Sequence, residues 1–287
     1  MTPERFDYFA PRSLEEALDL LARHGEHAKL LAGGQSLLAA MKLRLASPKV
    51  LIDLNRIDTL QGIRDEGDWL SIGAMTRYAD VSDAEVVRRK CPLLPQTVAV
   101  VADVQIRNRG TVGGSIAHAD PAGDLPAAVL ALEAELKAVS PRGERWISAT
   151  DFFVTTYTTR LGPDEILTDI RVPSLDNRRS VYLKAARRPS DFAMVGVAAV
   201  AAVNSDRTCK NLAVAITGVA DHPYRAREVE RALRGRAPDA IGLQAAAATA
   251  TDGVAVAADV HASSPYRAHL TRVYVERALN AVLTDAS

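Results

Sequence analysis

Two glycine pairs stand in segments that could bind an anion, and the segments lie far apart in the chain. The first covers residues 32–36, the second covers residues 111–115, and the second runs on to Asp124. Because glycine has no side chain, paired glycines let the backbone approach a ligand and turn successive amide N–H groups into one concavity. Together the segments predict a split cradle for a diphosphate, and the ligand implied is a dinucleotide.

The spacing of these glycines excludes the commoner phosphate-binding loops. Neither segment has the G-x-G-x-x-G spacing of the Rossmann fingerprint or the glycine–lysine pattern of a P-loop, which disfavours a nicotinamide fold and a phosphoryl-transfer enzyme. Only Cys91 and Cys209 are present, too few for a zinc or iron–sulfur ligand set. The histidines lack metal-ligand spacing and G-x-S-x-G is absent, so we predict no metal site and no hydrolytic triad. No catalytic residue is predicted.

Composition and charge exclude two classes of partner. The 287 residues include 35 Lys plus Arg and 35 Asp plus Glu, so no net field favours nucleic acid or an anionic membrane. The first residues do not resemble an export signal, and no stretch reaches the ~18 apolar residues of a membrane span. The two isolated cysteines are typical of buried thiols in a reducing compartment. We therefore expect a cytoplasmic protein without a membrane span.

Hydrophobic periodicity places the first glycine segment between a strand and a helix. A capping box at Ser13 begins one helix, residues 29–31 form a strand, and Ser36 caps the next helix. The amide groups and the dipole of that second helix would both face an anion bound at residues 32–36. A strand at residues 50–54 ends this small unit.

The remaining sequence predicts a longer α+β unit and then a separate α+β domain. A charged helix at residues 78–90 and an apolar helix at residues 94–104 lead to the second glycine segment. The polar, turn-rich residues 173–179 are the predicted boundary. Beyond it, strands followed by helices indicate a domain of its own, with strands at 181–186, 195–203 and 212–218 and helices at 225–234, 239–250 and 266–283.

Three stretches of the sequence resemble a known family. They are AGGQSLL at residues 32–38, RNRGTVGGS at residues 107–115, and Asp120 and Pro121 with Asp124. They resemble the medium, FAD-binding subunit of molybdenum hydroxylases, a family that includes the flavoproteins of carbon monoxide dehydrogenase and xanthine dehydrogenase. The resemblance implies an α+β fold: a two-subdomain FAD-binding domain of the vanillyl-alcohol-oxidase (PCMH) type at residues 1–176, divided at about 55/56, and a CO-dehydrogenase-flavoprotein-like C-terminal domain at residues 177–287.

The resemblance also implies which residues contact FAD. The two glycine segments would form the walls of the diphosphate and ribityl site, and Asp124 would accept hydrogen bonds from FAD. Lys184 would bring a cation near the flavin ring, and Phe192 follows Asp191 where relatives often have tyrosine. The full set is Leu31, Ala32, Gly33, Gly34, Gln35, Ser36, Leu37, Thr111, Gly113, Gly114, Ser115, Asp124, Leu167, Lys184, Asp191 and Phe192.

Several of these residues also have an ordinary structural interpretation. Asp124 has the residue type to cap a helix that begins at Leu125, and both roles can hold at once. Lys184 could be a solvated edge-strand residue, and Leu167 could be a buried strand residue. His118 lies beside the cradle, but relatives bind FAD without a covalent bond. We therefore interpret His118 as a packing or hydrogen-bonding residue.

By the same resemblance, the chain transfers electrons through non-covalent FAD and does not itself oxidise the substrate. A molybdenum-bearing large subunit would oxidise the substrate, and an iron–sulfur small subunit would relay electrons to FAD and on to an external acceptor. A dimer of heterotrimers is implied. Two alternatives stay open, namely a stand-alone FAD-dependent reductase or oxidase and a flavin-free scaffold subunit. A yellow protein absorbing near ~450 nm would exclude the scaffold.

Overall fold

The computed structural model describes residues 2–284 of the chain. Its N-terminal unit is a small parallel α/β layer that carries the first glycine segment. The elements are β1 (Asp7–Phe9), α1 (Leu14–His24), β2 (Ala28–Leu31), α2 (Leu37–Lys42) and β3 (Val50–Asp53). The strand order is β1-β3-β2, and both outer strands run parallel to β3. The amphipathic α1, capped by Ser13, buries its apolar face against this sheet, so the turn after β2 emerges at the edge of a packed layer.

The second unit is an antiparallel sheet packed against short helices. Its sheet has the order β4-β5-β10-β6-β7, and a two-stranded ribbon, β8 with β9, stands beside it. The strands are β4 (Ile63–Asp65), β5 (Trp69–Gly73), β6 (Glu135–Ser140), β7 (Gly143–Ser148), β8 (Phe153–Thr155), β9 (Thr158–Thr159) and β10 (Ile166–Pro173). The helices are α3 (Tyr78–Asp83), α4 (Glu85–Lys90), α5 (Leu93–Ala99), α6 (Val104–Arg107), α7 (Val112–His118), α8 (Asp124–Ala131) and α9 (Ala149–Phe152).

The C-terminal unit is a four-stranded antiparallel sheet with three helices on one face. The strands are β11 (Arg179–Ala185), β12 (Val195–Val203), β13 (Cys209–Thr217) and β14 (Tyr224–Arg225), and they lie in this order. The helices are α10 (Arg227–Leu233), α11 (Ala240–Ala248) and α12 (Ser264–Leu283). Together with the sheets of the second unit, this confirms the predicted α+β class.

The two faces of the C-terminal sheet belong to two different cores. Val181, Leu183 and Ala185 pack with α10, α11 and α12, whereas Tyr182 points to the opposite face because side chains alternate along a strand. That opposite face joins the core of the second unit. Every residue of α8 is buried, which fits a helix enclosed between the C-terminal sheet and the helices α5 and α7. The helix α8 therefore forms the junction between the two halves of the molecule.

Two stretches that were each predicted as one continuous helix are interrupted in the structure. The single helix expected at residues 78–90 is interrupted at Ala84, whose extended backbone separates α3 from α4. The helix expected at residues 94–104 ends at Ala99, and Ala102 with φ +43° turns the chain before Asp103 caps α6. Neither stretch has a glycine, or a proline at its break, so periodicity alone did not reveal the breaks.

Candidate functional site

The first glycine segment is a loop from β2 to α2 whose amide groups have no partner. Gly34 adopts φ +78°, a conformation that other residues rarely take, and it turns the chain between strand and helix. The carbonyl group of Ala32 is held internally, because Asn55 Nδ2 donates to it at 2.9 Å. Within residues 2–284, no atom accepts a hydrogen bond from the amide N–H groups of residues 33–36. Four successive free donors suit an anion such as a diphosphate.

The second glycine segment is the first turn of α7, and its amide groups already have partners. They donate as follows: Val112 N to Thr76 O (2.9 Å), Gly113 N to Ala74 O (2.8 Å), Gly114 N to Thr111 Oγ1 (3.2 Å) and Ser115 N to Thr111 O (3.1 Å). Thr111 is the N-cap of the helix. The prediction that both segments offer free peptide nitrogens is therefore wrong for the second one.

The glycines of the second segment instead allow close packing. A Cβ atom on Gly113 would overlap Ala74 and lie 2.7 Å from its Cα. A Cβ atom on Gly114 would lie 2.6 Å from Thr111 Oγ1 and 3.2 Å from the Cβ of Ala32. The last distance joins the two segments, because Ala32 belongs to the first. Only a residue without a side chain allows this approach.

A further contact between the segments confirms that they converge. A Cβ atom on Gly33 would overlap the carbonyl oxygen of Arg109 and lie 2.8 Å from the Cα of Gly110. Gly33 and Gly110 therefore place two remote stretches of backbone against each other. The free amide groups of the first segment therefore lie next to the start of α7, and the two segments converge as the sequence predicts.

Asp124 lies in a buried cluster at the junction of the two halves. Its Oδ2 accepts a hydrogen bond from Lys184 Nζ at 2.9 Å, and its Oδ1 accepts one from Tyr182 Oη at 2.6 Å. The side chains of Lys184 and Asp124 are only 6% and 5% exposed. Burial raises the pKa of the Asp124 carboxyl, while the charge of Lys184 and the two hydrogen bonds lower it.

Two structural interpretations of this cluster are therefore wrong. Asp124 is the first residue of α8 and Gly123 is the N-cap, so the Asp124 carboxylate does not cap the helix. Lys184 is not a solvated edge residue, since its ammonium group is buried and also donates to Val100 O at 3.0 Å. The predicted cation near the flavin ring is thus one half of an internal ion pair.

Asp191 and Phe192 lie on the loop between β11 and β12. The Phe192 side chain is 64% exposed, and Asp191 forms an ion pair with Arg187 at 3.7 Å. The end of this loop is tied down, because Met194 N donates to Ala185 O at 2.9 Å. The loop therefore presents an exposed aromatic ring beside the strand that carries Lys184.

The same loop meets the Asp120–Asp124 turn through β13. Gly218 N donates to Pro121 O at 2.7 Å, and Thr217 Oγ1 donates to the same oxygen at 2.7 Å. The buried Arg267 donates through Nη1 to the carbonyl groups of Gly218 and Met194. These bonds connect the loop that carries Phe192 with the turn that precedes Asp124.

Three other residues have positions that bear on the predicted site. Leu167 is buried in β10. The carbonyl group of the next residue, Thr168, accepts a hydrogen bond from Ala74 N at 2.9 Å, and Ala74 O in turn accepts one from Gly113 N. Ser36 occupies the N-cap position of α2, but its side chain makes no capping hydrogen bond, contrary to prediction. The His118 ring packs on Tyr157, with centroids 4.9 Å apart.

Sequence reasoning missed residues that hold the site in shape. Asn55 fixes the backbone of the first segment, and Gln35 Nε2 donates to Gly33 O at 3.0 Å. In the C-terminal half, Tyr182 donates a hydrogen bond to Asp124, and Arg267 donates to the carbonyl groups of Met194 and Gly218. The alternation of β11 would have placed Tyr182 on the same face as Lys184, but no sequence signal pointed to Asp124 as their shared acceptor.

The described residues 2–284 offer no candidate metal centre. No group of three or more His, Cys, Asp and Glu side chains there could hold a metal ion. Cys91 and Cys209 are buried free thiols, and burial raises the pKa of Cys91 to about 12. Among these residues, no helix combines the length and apolar character needed to cross a membrane.

Comparison with known proteins assigns the family. Residues 4–175 match the model of the FAD binding domain in molybdopterin dehydrogenase, and residues 180–282 match the CO dehydrogenase flavoprotein C-terminal domain. The chain belongs to the family of FAD-binding medium subunits of molybdenum hydroxylases. The carbon monoxide dehydrogenase medium chain of Hydrogenophaga pseudoflava is 42% identical over 282 residues, which cover 98% of both chains.

Other members of the family extend this similarity. The 6-hydroxypseudooxynicotine dehydrogenase complex subunit alpha of Paenarthrobacter nicotinovorans is 36% identical over 287 residues, covering 100% of this chain and 97% of the relative. The structure of carbon monoxide dehydrogenase from Hydrogenophaga pseudoflava superposes with a TM-score of 0.96 at 43% identity, covering 98% of both chains. For quinoline 2-oxidoreductase from Pseudomonas putida 86 the TM-score is 0.93 at 34% identity, again over 98% of both chains.

These comparisons confirm the predicted family, its two-domain FAD-binding fold and FAD as the cofactor. The chain is an FAD-dependent oxidoreductase subunit. The geometry fits this cofactor, because the amide groups of residues 33–36 are free and the glycines at positions 33 and 114 allow the two segments to approach each other closely.

Proposed function

We propose that this medium subunit holds one FAD molecule non-covalently between its two glycine segments and passes electrons from a partner subunit to an external acceptor. The observation that carries the proposal is the set of four free amide groups at residues 33–36 beside the start of α7. Such donors bind a diphosphate without a cationic side chain. The binding residues remain those named from the sequence.

The residues of the chain would bind and orient the cofactor. When bound, FAD supplies the exchange between carriers of one and of two electrons. The first segment would hold the diphosphate, and Asp124 would accept hydrogen bonds from the sugar-like chain. Lys184 would act through its pair with Asp124, so the flavin would meet a fixed dipole instead of a free cation. Phe192 and Leu167 would supply apolar contact.

The partners are part of the same proposal. Relatives named carbon monoxide dehydrogenase and 6-hydroxypseudooxynicotine dehydrogenase complex support an assembly with a molybdenum-bearing large subunit and an iron–sulfur small subunit. We propose a dimer of such heterotrimers in the cytoplasm, where two free thiols stay reduced. We also retain domain boundaries at about residues 55/56 and 176/177.

Isolation of the native complex tests this function. We expect two further chains to co-purify, with about one FAD per medium subunit and with iron and molybdenum in the preparation. Acid precipitation should release the flavin into the supernatant, since no covalent bond holds it. Iron and molybdenum absent from every preparation would contradict the proposed partners. Flavin that precipitates with the protein would contradict non-covalent binding, and a colourless complex would leave only the scaffold function.

A further inference from the structure

Three side chains from two parts of the molecule form one hydrogen-bonded cluster. Tyr182 and Lys184 are two residues apart on β11 and therefore lie on the same face of the sheet. Each donates to a different oxygen of Asp124, at 2.6 Å and 2.9 Å. Asp124 begins α8, whose eight residues are all buried. The carboxylate is thus held from the C-terminal sheet by two donors.

The neighbouring strand β12 has a glycine at the position where the Tyr182 hydroxyl group packs. Gly196 pairs with Lys184 across β11 and β12. A Cβ atom on Gly196 would overlap the Tyr182 hydroxyl and lie 2.7 Å from Cγ2 of Thr217. Because any side chain at position 196 would displace the hydroxyl, the sheet is locally adapted to this tyrosine.

Opposing effects act on the pKa of the Asp124 carboxyl. Burial and, to a smaller extent, the charge of Asp120 raise this pKa, whereas Lys184 and Tyr182 lower it, and the net direction is upward. Tyr78 also faces this region, and burial raises its pKa to about 12, with a smaller contribution from Asp124. A buried carboxylate that loses a donor keeps its full desolvation penalty.

We infer that Tyr182 is a positioning residue for the flavin site. Its hydroxyl group fixes one oxygen of Asp124, so the other oxygen holds the Lys184 ammonium group at the junction of the two domains. Without it, the carboxylate can rotate, and the hydrogen bond to Val100 O is then the remaining fixed contact of the Lys184 ammonium group among the described residues 2–284. This inference rests on the proposed function, because it concerns how Lys184 meets the flavin.

Binding of FAD by Tyr182→Phe tests the inference. We expect the dissociation constant of FAD to rise about tenfold, because the Lys184 ammonium group is less well ordered before FAD binds and must be ordered on binding. The matched control is Tyr224→Phe, which removes a hydroxyl that donates to Ala250 O at 3.1 Å, a contact within the C-terminal unit. The control should change FAD affinity less than about twofold.

A double-mutant cycle separates positioning from simple packing. If Tyr182 acts through Lys184, its replacement should change FAD affinity less than about twofold in a Lys184→Met background. Should Lys184→Met fail to fold, the pair Asp124→Asn with Lys184→Met removes both charges and serves as the background. A Tyr182→Phe effect that is absent, or equally large in these backgrounds, would overturn the inference.

A second measurement needs no flavin and therefore stands if the proposed function fails. The raised pKa of Asp124 means that its contribution to stability is lost as pH rises through that pKa, and removal of Tyr182 raises it further. In flavin-free protein, the urea midpoint of Tyr182→Phe should fall below wild type at pH 8 and approach it on acidification. In Asp124→Asn protein the difference should not vary with pH. A constant difference in both proteins would refute the coupling of Tyr182 to Asp124.

Discussion

The two glycine segments have similar sequences but different physical roles. The four amide groups of residues 33–36 have no hydrogen-bond acceptor within residues 2–284. Each of the four amide groups of residues 112–115, in contrast, donates to an acceptor within the protein. In the first segment glycine allows a turn with φ +78°, and in the second it allows α7 to pack closely against Ala74 and against the first segment. A glycine pair near a ligand therefore need not bind it directly.

This difference assigns the two segments different parts in the site: the first segment is the hydrogen-bond donor, and the second is its support. The first segment would contact the diphosphate through its backbone, and the second would fix the position of the first. Substitutions in the support should therefore act on folding first, and substitutions in the donor should act on cofactor binding first. The predictions below test this division, beginning with the largest effect.

Gly113→Ala should destabilise the protein most. The new Cβ atom would overlap Ala74 and approach its backbone Cα to 2.7 Å, which is not relieved by rotating a side chain. We expect a loss of about 2–3 kcal/mol in the free energy of unfolding, measured by urea denaturation. In the control Gly162→Ala, the new atom meets only side-chain atoms at 3.3 Å or more. A stable Gly113→Ala protein would contradict the packing role.

Gly33→Ala should act mainly on the cofactor. Its Cβ atom would overlap the carbonyl oxygen of Arg109, so the first segment must move away from the second. We expect FAD content after gel filtration to fall at least about tenfold, because the free amide groups of residues 33–36 move with the segment. Full FAD retention would show that contact between the segments is unnecessary for binding.

Replacing the N-cap residues of α7 and α2 should have smaller and unequal effects on stability. Thr111 caps α7 through its side chain, whereas Ser36 makes no capping hydrogen bond to α2. Thr111→Ala should therefore cost about 1 kcal/mol of stability, and Ser36→Ala less than about 0.5 kcal/mol. Thermal unfolding of the flavin-free proteins measures both. Equal losses would remove this distinction between the two segments.

The sequence predicted those features that depend on local patterns. The strand predicted at residues 195–203 is β12, with the observed bounds Val195–Val203. The convergence of the glycine segments was also predicted. The second segment was interpreted as an open turn, although Thr111 three residues before Gly114 has the spacing of a helix N-cap.

Features that depend on distant residues were not predictable. Asp124 and Lys184 are 60 positions apart, and their pairing arises only when the C-terminal sheet covers α8. The contact between Tyr182 and Gly196 likewise forms only when β11 pairs with β12. Sequence patterns report local periodicity, whereas a buried ion pair reports tertiary packing that no single segment encodes.

Amide hydrogen exchange in the presence and absence of FAD tests the central claim most directly. The claim is that free amide groups at residues 33–36 bind the diphosphate, while those at residues 112–115 are already satisfied. We predict that FAD slows exchange strongly in peptides covering residues 33–36, whereas peptides covering residues 112–115 are protected before FAD is added. Unchanged exchange at residues 33–36 when FAD is bound would contradict the account.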